Sequence, residues 1–170
     1  MRTVFQNCTL LDGTEQMSPR PGTDVAIENG KITQIGKIAP NKGDRVVDLT
    51  GKYLMPGLIN LHVHLPAGGK PQNKPMNTNR LTKIALSSGL SRALVLRMCH
   101  AYAMQGLLSG VTTVRAVGGL DNLDTRLRDR IHAGKLDGPR ILAAIYAIGV
   151  PLGHMVGSVT HPAERTEERR

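Results

Sequence analysis

Apolar residues fall in short runs through the first third of the chain, and each run is closed by residues that turn the backbone. Thr3 to Leu11 reads as a strand ended by Asp12-Gly13. Asp24 to Glu28 and Lys31 to Gly36 flank Asn29-Gly30, a strong two-residue hairpin signal because both positions accept positive φ. Val46 to Leu49 is a further strand, and Pro19, Pro21, Gly22, Pro40 and Gly43 punctuate the loops. These strands hold too few apolar residues to make a sandwich by themselves. After Pro56-Gly57 comes the run Leu58, Ile59, Leu61 and Val63, of the kind a strand covered on both faces needs. Pro66 to Arg80 is a polar loop. Leu81 to Leu108 has a helical period, broken or bent near Gly89, with Leu90, Leu94, Met98, Ala101 and Leu108 on one stripe and Gly110 at the C-cap. Val111 to Val117 is a strand. Asp121 to Ala133 is an amphipathic helix through Leu123, Leu127 and Ile131, with Asp121 or Asp124 and His132 suited to the two ends of its dipole. Arg140 to Ile148 reads as a third strand. β-Hairpins followed by βαβαβ define an α/β chain, and the closing "AERTEERR" reads as a solvated tail or helix stub.

One stretch carries chemistry. Leu58 to Val63 leads into His62-Val63-His64, and residues two apart on a strand face the same side. Two neutral imidazoles on one face can hold a divalent transition metal at the end of the strand. A bare His-x-His more often means one packed and one solvated histidine. Its context favours the metal.

"DLTGKYLMPGLINLHVHL" (Asp48 to Leu65) resembles the entry segment of the amidohydrolase superfamily of metal-dependent hydrolases. "LLSGVTTVRAVGG" (Leu107 to Gly119) and "AGKLDGPRILAA" (Ala133 to Ala144) are similar to segments that follow it. Together they look most like the branch with imidazolonepropionase-like and Xaa-Pro dipeptidase-type enzymes, over roughly Arg2 to Val159. The resemblance implies N-terminal β-hairpins of a composite β-sandwich (1–54), followed by the first three βα units of a TIM (β/α)8 barrel (55–170). It implies that His62 and His64 bind metal, zinc foremost, as one or two ions in the intact enzyme. His154, in the Gly149 to Met155 segment, would approach the substrate, although Leu152 and Met155 stand where relatives have glycines. Many relatives have Asp where this chain has Ala116. The remaining ligands and the catalytic base would lie on later strands. The implied reaction is hydrolysis of a C–N bond in a small-molecule amide or cyclic amide, through a metal-activated water. The alternative is an inactive interaction or assembly module.

Length sharpens that expectation. A complete barrel takes about 250 residues, whereas this chain has 170, so the barrel is expected to be incomplete here. An incomplete parallel sheet invites association, either as a homo-oligomer or with the missing C-terminal portion. The net charge of +9 is spread along the chain, and Phe5, Tyr53, Tyr102 and Tyr146 are its aromatic residues. That argues against base-stacking nucleic-acid binding. Cys8 and Cys99 form no framework, no stretch is long enough for a membrane helix, and the first residues lack a signal-peptide core. A reduced, cytoplasmic protein is expected. His100, His132 and His161 are assigned no role.

Overall fold

The computed structural model describes residues 1–69, 78–149 and 160–162. They form two compact units, Met1–Pro56 and Gly57–Arg170.

The first unit is a five-stranded sheet of β1 (Thr3–Leu10), β2 (Arg20–Glu28), β3 (Lys31–Gly36), β4 (Arg45–Asp48) and β5 (Tyr53–Leu54). The strand order is β3-β2-β1-β4, with β5 also on β1. β1, β2 and β3 are successive antiparallel neighbours, and β4 and β5 run parallel to β1. Asn29 and Gly30 have φ of 51° and 73°, the paired positive values of a hairpin turn whose twist matches the strands. β2 begins earlier than the loop punctuation predicts, at Arg20. Pro21 and Gly22 fall in a register irregularity between the Cys8–Thr23 and Leu10–Arg20 pairs, where a missing N–H is tolerated.

A second irregularity lies between Phe5 and Cys8, where Asn7 takes φ 61°. Asp24 closes it. Its carboxylate accepts the Asn7 N–H at 2.8 Å and the Ile38 N–H at 2.9 Å. Those two donors, Asn7 first, hold its pKa below the ordinary carboxylate value. Two small buried clusters support the sheet: Val4, Ala26 and Ile38, and Cys8, Leu10 and Val25.

The second unit is built on three parallel strands, β6 (Leu58–Val63), β7 (Val111–Ala116) and β8 (Arg140–Leu142), in the order β6-β7-β8. Two helices, α1 (Thr78–Leu86) and α2 (Gly89–Leu108), lie between β6 and β7; α3 (Leu123–His132) lies between β7 and β8. The break or bend predicted near Gly89 is a break, between Leu86 and Gly89. The Ser88 hydroxyl oxygen caps α2 by accepting the Ser91 N–H, and the Ser91 hydroxyl oxygen accepts the Ser88 N–H in return, a reciprocal cap. At the other end Gly110, with φ 98°, follows the Ser109 cap as predicted. The core joins Leu65, Leu96, Cys99, Ala103, Val114, Ala116, Leu123, Leu127 and Ile141.

Four expectations need correction. The stripe of Leu90, Leu94 and Leu108 does not face this core, which α2 contacts through Leu96, Cys99 and Ala103 instead. α2 is apolar on two sides, so periodicity alone could select the wrong one. β6 is not covered: Leu58, Ile59 and Leu61 are 50%, 64% and 66% exposed. Among the described residues its only strand partner is β7. The third strand is not continuous. β8 stops at Leu142, and β9 (Ala147–Gly149) pairs with β10 (Thr160–Pro162), a strand that the polar sequence around it did not signal. Finally, α1 begins inside the segment predicted as loop.

Candidate metal centre

The Pro56-Gly57 turn admits the histidine strand by letting β7 come close. A Cβ at Gly57 would collide with the Thr112 side chain. β6 then pairs with β7 through Asn60–Val114 and Val63–Ala116, with an irregularity between the two. His62 lies within that irregularity. Its N–H is accepted by the Asn60 side-chain oxygen at 3.1 Å. Such irregularities re-aim side chains.

The His62 and His64 rings converge, with centroids 5.4 Å apart and planes at 73°. They meet at the C-terminal end of β6, and both residues are exposed. His64 Nδ1 lies 3.1 Å from the Gly118 carbonyl oxygen. A carbonyl only accepts, so Nδ1 carries the proton, and in the neutral ring Nε2 keeps its lone pair. This is the anchoring that metal-bound histidines commonly show. The donor chemistry therefore fits a zinc-class ion. Two imidazoles are still fewer than the three protein ligands of a catalytic zinc site. No cluster of three or more metal-ligating side chains occurs among the described residues.

Gly118 is required where it stands. Its φ is 150°, and a Cβ there would lie 2.8 Å from the Ala147 Cβ. Ala116, next to this turn, is buried in the core and brings no polar group to the site.

His154 lies outside the described residues. His100 Nε2 is 2.8 Å from the Asp137 carbonyl oxygen, to which it donates. His132 lines a groove of about 680 Å³ with Arg128, Pro139 and Arg140. That groove adjoins the start of β8, and the histidines stand at the end of β6, so in this parallel sheet the two lie at opposite ends. Cys99 is buried, which pushes its thiol pKa up to about 11 and leaves it unreactive. Among the described residues, no helix is long and apolar enough to cross a membrane.

One residue escaped sequence reasoning. Asp124, expected only to favour the α3 dipole, is 2% exposed. Its carboxylate accepts the N–H groups of Thr125, Ala144 and Ile145. An Asp near a helix start looks the same in sequence whether it faces solvent or the core.

No family profile matches the chain. It is 31% identical to an imidazolonepropionase of Pseudomonas putida over 160 residues, 91% of this chain and 36% of that protein. It is 34% identical to a dihydroorotase of Trichlorobacter lovleyi over 87 residues, 48% of this chain and 20% of that one. Its fold matches the crystal structure of a Xaa-Pro dipeptidase with TM-score 0.66 and 28% identity, covering 87% of this chain and 34% of the dipeptidase. The chain thus spans about a third of the imidazolonepropionase and of the dipeptidase.

Proposed function

Taking the chain as a member of the amidohydrolase superfamily, we propose that it forms the His-x-His portion of a metal-dependent hydrolase that cleaves C–N bonds in small amides or cyclic amides. The observation that carries this reading is the His62–His64 pair, with rings 5.4 Å apart and the His64 Nδ1 proton held by Gly118. His62 and His64 would hold the ion, zinc foremost. Such an ion polarises the scissile carbonyl and makes water a competent nucleophile near neutral pH. The chain's own contribution is to aim two imidazoles from one strand end. The remaining ligands and the proton acceptor come from outside the described residues, where His154 is proposed to approach the substrate. The surrounding architecture is proposed to be a (β/α)8 barrel, of which β6, β7 and β8 are the first strands, with the first unit contributing to a β-sandwich.

Association is part of this reading. Leu58, Ile59 and Leu61 expose apolar surface along β6, and exposed surface of that kind favours a partner. The partner is further βα units or a second copy of the chain. Light scattering on the purified 170-residue chain should therefore find oligomers or aggregates, and a clean monomer at high concentration would count against it. By itself the chain should give no amide hydrolysis above background with zinc or manganese added. When it is supplied with the additional βα units, hydrolysis of an N-acyl amino acid, dipeptide or cyclic amide should appear and be lost in His62→Ala. Turnover that survives His62→Ala would refute the assignment.

A further inference from the structure

We propose that Asp124 is a positioning residue for His64, acting through the Gly118–Gly119 peptide. That peptide is trans, so its C=O and N–H point to opposite sides. On one side the Gly118 oxygen accepts the His64 Nδ1 proton at 3.1 Å. On the other, the Gly119 N–H donates to the Ile145 carbonyl oxygen at 3.0 Å. Holding the N–H of this unit fixes the plane in which its oxygen faces His64.

Ile145 is an unfavourable residue for that task. Its φ is 63°, a left-handed value that β-branched residues rarely adopt. The Tyr146 N–H donates to the Ala144 oxygen at 2.7 Å across it, which makes Ile145 the centre of a three-residue γ-turn of the rare, strained hand. Such a conformation persists only where its surroundings enforce it. Asp124 supplies the enforcement. Its Oδ2 accepts the Ala144 N–H at 3.1 Å and the Ile145 N–H at 2.9 Å, while Oδ1 accepts Thr125 N–H at 2.8 Å. Asp124 is 2% exposed, so water competes little for these donors. The path runs from Asp124 to the Ile145 turn, to the Gly118–Gly119 peptide, to the His64 tautomer. It leaves His64 Nε2 as the atom available to a metal. That last step rests on the metal-site reading; the tautomer itself does not.

The test is long-range 1H–15N correlation on the metal-free full chain labelled with 15N-histidine, at a pH above 8 where neutral imidazoles dominate. In the wild type His64 should carry its proton on Nδ1, against the usual preference of a solvated histidine for the Nε2–H form. Asp124→Asn places an amide NH2 among these N–H donors. His64 should then shift toward Nε2–H, with the His62 pattern unchanged. Asp124→Glu keeps the charge but displaces both oxygens, and should give an intermediate pattern; it also serves where Asp124→Asn does not fold. An unchanged His64 tautomer in either folded variant, or an Nε2–H form already in the wild type, overturns the proposal. If the tautomer responds but the wild type binds no zinc, the positioning role stands and the metal reading fails.

Discussion

The two sheets of this chain solve the same problem to different degrees. In the first unit β1 and β2 bury Val4, Cys8, Val25 and Ala26 almost completely. In the second, β6 has the more apolar sequence and the more exposed side chains, with Ile59 and Leu61 above 60% exposed. The difference follows from neighbours. β1 has β2 on one edge, with β4 and β5 along the other, and β2 has β3 beyond it. β6 has β7 alone among the described residues. Apolar character therefore states what a strand needs, and burial reports what it has received. β6 is apolar in sequence yet, among the described residues, left uncovered.

Matched truncations break or confirm that contrast most sharply. Leu10→Ala, at a buried β1 position, should destabilise the chain by about 2–5 kcal/mol. Ile59→Ala, on β6, should change stability by less than about 0.5 kcal/mol in the isolated chain, and far more once β6 is covered by a partner. Equal effects in denaturant titrations of the isolated chain would refute the reading of β6 as uncovered.

A smaller effect is expected at the turn into β6. Gly57→Ala should cost about 1–3 kcal/mol through its collision with Thr112. Thr112→Ala in the same molecule removes two of the three colliding atoms and should recover part of the loss in thermal unfolding.

The smallest effect concerns acid. Asp24 has a folded pKa below its ordinary value near 3.8, so the unfolded chain binds the proton more readily. Its contribution is fully present above the unfolded value and fades as pH falls through the depressed folded one. Stability measured below pH about 4 should decline less steeply in Asp24→Asn than in the wild type.

Much of this arrangement is written locally. Asn29-Gly30 announces its hairpin because the turn needs two positive φ values. Pro56-Gly57 announces the strand and the spacing of His62 and His64 announces a shared face, whereas the register irregularity at His62 is set by the pairing with β7. Gly110 marks the end of α2 for the same kind of reason. What escaped depends on contacts distant in sequence. The buried face of α2 is selected by β7 and α3, not by its own period. The break after β8 comes from Ile145, a good strand former held in a left-handed turn by Asp124, twenty-one residues earlier. β10 exists because β9 is there to pair with it.

His62 and His64 together are proposed to hold a divalent ion. Zinc titration of the purified chain by calorimetry, on the wild type and on His62→Ala and His64→Ala, tests it most directly. One weakly held ion per chain is expected, with binding lost in either variant. Absence of binding in the wild type, or binding that persists unchanged in both variants, would contradict it.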